Sequence, residues 1–122
     1  MKKLLLILAL TVALPSIAYA KCDGGTEKPG KNGHVYCISN QKMNWWSAFA
    51  WCKANERPLA TLAQACNNQS WSSGCTNWAN KGGIRVWTAI ASGTETAYFI
   101  HFDAVGTVNS GTRTTNYYAL CY

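Results

Sequence analysis

His101 and Asp103 stand two residues apart in an apolar run, so a strand would place both on one face. A histidine held by a carboxylate is half of a hydrolytic centre. The other half is a nucleophile within reach. No serine or cysteine is tied to this pair, and a histidine beside a turn-forming aspartate accounts for the same residues. Two facing carboxylates would suit glycoside hydrolysis. Glu56 and Glu95 are the acids to consider, and nothing in their spacing brings them together. The expectation is a protein that is not an enzyme.

Metal chemistry fares no better. The sequence has no C-x-x-C, and His34 and His101 lack the spacing of zinc ligands. Calcium asks for six to eight oxygens, several from carboxylates. Asp23, Glu27, Glu56, Glu95 and Asp103 are scattered along the chain. No metal and no cofactor are expected.

Tryptophan and asparagine carry the remaining chemistry. All six tryptophans lie between positions 45 and 87. Trp45, Trp51 and Trp87 fall in helix-like or strand-like apolar patterns and read as core. Trp71 and Trp78 stand instead among Asn67, Asn68, Asn77, Asn80, serines and glycines. Flat aromatic faces beside amides suit a saccharide or a peptide, which need apolar contact and oriented hydrogen bonds together. These six residues form the candidate ligand-binding set, with Trp71 and Trp78 as anchors. The alternative is a loop whose tryptophans fold back over a small core.

The elements that must hold this set begin with the cysteines. Cys22, Cys37, Cys52, Cys66, Cys75 and Cys121 make an even count in a small chain, which reads as three disulfides. Six cysteines allow about 15 pairings. Cys66 and Cys75 flank a Gly-Ser-rich loop and can meet locally. Cys22 and Cys37 flank two glycine-bearing turns, so a hairpin can join them. Cys52 and Cys121 are then left for each other.

Lys2 and Lys3, the apolar run Leu4 to Leu14 and Ala18-Tyr19-Ala20 form a charged, apolar and small-residue succession. This is the pattern of a secretory signal peptide over residues 1–20, with a domain over 21–122. The apolar run is about half the length of a membrane span. The expected location is secreted, periplasmic or at the cell surface, and the short two-lysine opening is bacterial in character. In that setting the sequon Asn68-Gln69-Ser70 is incidental. The net charge is +6, two less once Lys2 and Lys3 leave with the leader. The remaining cations form no run, which argues against nucleic acid and leaves weak attraction to anionic glycans.

Along the domain, residues 21–34 read as turns and Val35 to Ser39 as a strand. Asn44 to Asn55 reads as a helix capped by Asn44, with Trp45, Ala48, Phe49 and Cys52 in one stripe. Leu59 to Cys66 has helical spacing, and residues 67–83 form a loop. Strands are expected over Ile84 to Ile90, Thr96 to Phe102, Thr107 to Asn109 and Asn116 to Tyr122, with Ser110-Gly111 as a turn. Helices in the first half and a small antiparallel sheet in the second make an α+β domain.

The run Trp45-Trp46-Ser47-Ala48-Phe49-Ala50-Trp51-Cys52, followed by Leu59-Ala60-Thr61-Leu62, resembles the first helix and following turn of C-type lectin-like domains. Trp45 or Trp46, Ala48 or Ala50, and Cys52 occupy the places of that family's W-x-x-A-x-x-x-C helix. Val86-Trp87-Thr88 resembles its central strand, Tyr118-Ala119-Leu120-Cys121 its closing strand, and Cys22 with Cys37 the hairpin pair of its long form. The resemblance implies a C-type lectin-like fold and a Cys52–Cys121 bridge. It does not extend to the family's calcium and sugar motifs. No proline follows Pro58, no W-N-D occurs, and ten residues separate Trp87 from Tyr98. The expected function is a carbohydrate-binding or adhesion-type module for a host or cell-surface protein or glycan, without calcium. The rivals are a small secreted hydrolase and a structural envelope or pilus subunit.

Overall fold

The structure is a computed structural model that describes residues 20–122. The leader assigned to residues 1–20 therefore lies outside the described residues except for Ala20. Six strands and two helices follow one another: β1 Gly25–Pro29, β2 Val35–Ser39, α1 Trp45–Ala54, α2 Leu62–Ala65, β3 Arg85–Ala91, β4 Thr96–His101, β5 Thr107–Thr112 and β6 Tyr118–Cys121. A single 3-10 turn, Thr76–Trp78, interrupts the loop between α2 and β3. The domain is α+β.

The strands form one mixed sheet in the order β1-β2-β6-β3-β4-β5. The expectation of an antiparallel sheet confined to the second half is corrected in two ways. β1 comes from residues expected as turns, and it pairs with β2, the strand expected over Val35 to Ser39, into a hairpin that joins the sheet through β6. β6 also runs parallel to β3, with Val86 opposite Tyr118 and Trp87 opposite Ala119. The turn expected at Ser110-Gly111 is the far end of β5, paired with Ala97 and Tyr98 of β4.

α1 starts where the sequence supplies an acceptor. The Asn44 side chain accepts from the Ser47 N–H at 2.9 Å, replacing one of the donors a helix start leaves unmet. It ends at Asn55, and Glu56 turns the chain with φ 56°. α2 is a single turn closed by a capping box between Thr61 and Gln64.

Strand alternation divides the core in two. Tyr36, Ile38, Val86, Ile100, Phe102 and Leu120 face α2 and the loop that follows it. Cys37, Trp87, Ala97, Phe99, Ala119 and Cys121 face α1, which contributes Ala48 and Cys52. Of the expected α1 stripe, Phe49 lies outside this core and is 38% exposed. Three disulfides tie the layers: Cys22–Cys37 along the hairpin, Cys52–Cys121 from α1 to β6, and Cys66–Cys75 across the loop. Such bonds persist in oxidising compartments. No helix among the described residues is long and apolar enough to cross a membrane.

Candidate functional site: the disulfide-closed loop

The segment from Cys66 to Asn80 lies against the sheet face opposite α1. Both of its bridging cysteines are fully buried in that face, so the loop is fastened at two points. Asn67 and Asn68 hold φ values of 55° and 58°, a region that short amide side chains tolerate. The Asn68 N–H donates to the Ala63 carbonyl at 2.7 Å and the Gln69 N–H to the Cys66 carbonyl at 3.1 Å. This local bonding leaves the Asn67 and Asn68 side chains exposed. Trp71 is 36% exposed and leans on Tyr98 of β4, with ring centroids 5.1 Å apart and planes at 54°. Its indole is held from one side and open to solvent on the other.

The loop is pressed against a second loop, 103–107. The Cys75 N–H donates to the Gly106 carbonyl at 2.7 Å. A side chain at Gly106 (φ 72°) would put a Cβ 2.1 Å from the Cys75 carbonyl oxygen, so only glycine permits this approach.

The six candidate residues do not form one surface. Trp78 is corrected from anchor to core. It is fully buried, stacked on Phe102 at 4.5 Å with planes 8° apart, and meets the edge of Tyr36 at 4.9 Å. Enclosed between Phe102 and Tyr36, the ring takes more apolar surface out of water than an exposed anchor would. Asn77 is likewise turned inward, at 4% exposure. Its Nδ2 donates to the Ala65 carbonyl at 2.8 Å, and its Oδ1 accepts from the Asn32 N–H at 2.8 Å. Both groups are committed, the first joining the loop to α2 and the second to the β1–β2 turn. Tyr36 completes this network, donating its hydroxyl to the Gln64 carbonyl at 2.6 Å. Burial raises the pKa of that hydroxyl. Asn80 is exposed at φ 58°, and its N–H donates to the Asp103 carbonyl.

Asn67 and Asn77 do share a polar recess of about 160 Å³, walled by Lys31, Asn32, Gln69 and Thr76. Gln69 is fixed there by the Thr76 hydroxyl, which donates to its Oε1 at 2.7 Å. The recess offers amides, a hydroxyl and one ammonium to a polar ligand.

His101 and Asp103 approach one another, with Nδ1 3.6 Å from Oδ2. The other histidine nitrogen donates to the Gly83 carbonyl at 3.1 Å. Asp103 organises its own loop. It accepts from the Thr107 hydroxyl at 2.6 Å and from the N–H groups of Val105, Gly106 and Thr107. The Thr107 hydroxyl above all, then the loop N–H groups, hold its pKa down to about 2.

Calcium, which C-type lectin-like domains use for sugar binding, does not fit the donors of this chain. Glu27 lies 3.7 Å from Arg57, and Asp103 is spent on its loop. Among the described residues no three His, Cys, Asp or Glu side chains gather at one point. β3 and β4 are joined by only four residues, Ser92 to Glu95.

Sequence reasoning missed an apolar groove along α1. Trp46 and Phe49, 52% and 38% exposed, border an open groove of about 620 Å³ with Pro58, Leu59 and Ala89. The signal was the doublet Trp45-Trp46, since adjacent helix residues point about 100° apart. Trp45 turns in, donating its indole N–H to the Thr88 carbonyl at 2.8 Å under the Arg113 guanidinium, and Trp46 is left outside.

Compared with known proteins, the sequence matches no family model and no curated protein.

Proposed function

We propose that the domain is an exported binding module of the C-type lectin-like kind, which takes a polar ligand at the disulfide-closed loop without calcium. Its ligand is a glycan, or a glycan-bearing protein, of a host or cell surface. The observation that carries this reading is Trp71: an open indole, backed by Tyr98, on a loop fastened by Cys66–Cys75. A constrained loop loses little entropy when it binds. Asn67, Asn68 and Gln69 belong to the same loop, are exposed, and supply amides. The family resemblance is supported by the Cys52–Cys121 clamp between α1 and β6, by the Cys22–Cys37 hairpin, and by Trp87 at the centre of β3.

A glycan array probed with the domain, with and without chelator, tests the reading. The expected result is a set of bound glycans that chelator does not change. Trp71→Ala should weaken that binding by about 2 kcal/mol, close to thirtyfold. Binding that needs calcium, or a Trp71→Ala domain that binds as tightly as the native one, overturns the proposal.

A further inference from the structure

The sheet face that carries the loop is not covered along its whole length. At the end where β6 begins, two adjoining depressions of about 280 and 190 Å³ share Ile84 and Tyr118. Together they make one cleft across β1, β2, β6 and the start of β3. Its cations are Lys28, Lys42 and Arg85. These residues are far apart in sequence, and the pairing of β6 with both β2 and β3 brings the two depressions together at one end of the sheet. Lys42 holds its ammonium 5.7 Å from the centre of the Tyr118 ring. Lys28 donates to the Lys81 carbonyl, which fixes its ammonium at the opposite wall.

No acidic side chain lines either depression. Glu27, the neighbour of Lys28, is directed to Arg57, and Asp103 is saturated by its own loop. Three uncompensated cations over an aromatic floor raise the local positive potential. Between them stand exposed neutral hydrogen-bonding groups: Thr26, Asn40 and Asn116.

We infer that this cleft binds a stretch of anionic polysaccharide. Carboxylate or sulfate groups meet Lys28, Lys42 and Arg85, a sugar face lies on Tyr118, and sugar hydroxyls meet the amides and hydroxyls. Tyrosine offers an apolar face with a polar edge, which suits a saccharide ring. The two depressions accommodate successive residues of one chain. This site is separate from the Trp71 loop and does not depend on it.

The test is retention of the full domain on immobilised dextran sulfate, polygalacturonate and neutral dextran, at low and high salt. The native protein should bind at least one polyanion, release it as salt screens the charges, and pass through neutral dextran. The sulfate and carboxylate arms show which anion is preferred. Lys42→Gln with Arg85→Gln, both at exposed positions, should weaken binding about tenfold with an unchanged melting temperature. Lys21→Gln with Lys53→Gln removes the same charge elsewhere and should change binding less than about twofold. Trp71→Ala should leave polyanion binding intact, which separates this site from the loop. Equal loss in the two double variants would make the attraction diffuse and overturn the proposal. So would the absence of any preference over neutral dextran, loss of binding in Trp71→Ala, or a duplex DNA that binds as tightly as the saccharides.

Discussion

Replacing Cys52 and Cys121 together by alanine should destabilise the domain much more than replacing Cys66 and Cys75. All four sulfurs are fully buried, so the packing lost is similar in the two pairs. The difference then lies in the unfolded chain. Cys52–Cys121 spans 69 residues of sequence and Cys66–Cys75 spans 9. In the chain-entropy description these closures contribute about 4.4 and about 2.7 kcal/mol. The gap of about 1.7 kcal/mol corresponds to roughly 7–14 °C in melting temperature for a domain of this size. Small domains hold only about 5–15 kcal/mol in total, so the first variant should be partly unfolded at 37 °C. Circular dichroism melts of both variants under non-reducing conditions measure this, with peptide mapping to verify the remaining bridges. Equal losses, or a larger loss in the short-loop variant, would refute the entropic account of the clamp.

Trp78→Ala should cost about 3–5 kcal/mol of stability as a buried ring is removed, whereas Trp71→Ala should cost under about 1 kcal/mol; paired denaturant titrations separate the two. The Asp103 carboxyl is held from the ordinary 3.8 down to about 2, so its stabilisation is present above the ordinary value and lost as pH falls through about 2. Thr107→Val removes the largest cause of that shift, so the variant should be less stable at neutral pH and lose less of its stability on acidification, which melting temperatures across the acid range would record. Millimolar calcium should leave the melting temperature unchanged, because a ligand stabilises only a state that binds it; a rise reversed by chelator would contradict the donor geometry.

α1 was legible because its cap and its buried positions are local. Asn44 accepts from Ser47, and Ala48 and Cys52 repeat at helical spacing. β1 and the far half of β5 were not, because each belongs to an edge strand whose neighbour decides its fate. Gly25 resembles a turn residue, yet a Cβ there would lie 2.6 Å from the Ile38 carbonyl oxygen and 2.8 Å from the Trp51 ring. Gly111 likewise sits where a Cβ would come within 3.2 Å of Phe99 and Tyr117. Both are glycines of close packing, and composition alone makes them look like breaks. In the candidate site, Trp71 and Trp78 share an amide-rich neighbourhood. What divides them is the partner ring: Phe102 encloses Trp78, and Tyr98 backs Trp71 on one side. The cationic cleft left no trace in the sequence, because Lys28, Lys42 and Arg85 become neighbours only when β1 to β3 assemble around β6.

The insertion of β6 between β2 and β3 also orders the events of folding. The β1–β2 hairpin and the β3-β4-β5 meander are each made of contacts between chain neighbours and can form early. Neither can join the other until β6 arrives, since it alone is bonded to both. Its arrival requires closing long loops from Cys37 to Cys121 and from Cys52 to Cys121, the slow step for such topologies. Oxidation should therefore proceed with Cys22–Cys37 and Cys66–Cys75 first and Cys52–Cys121 last. Until that last bond closes, two half-sheets with open edges coexist in one chain, and this is the interval in which the protein is most exposed to mispairing with its neighbours.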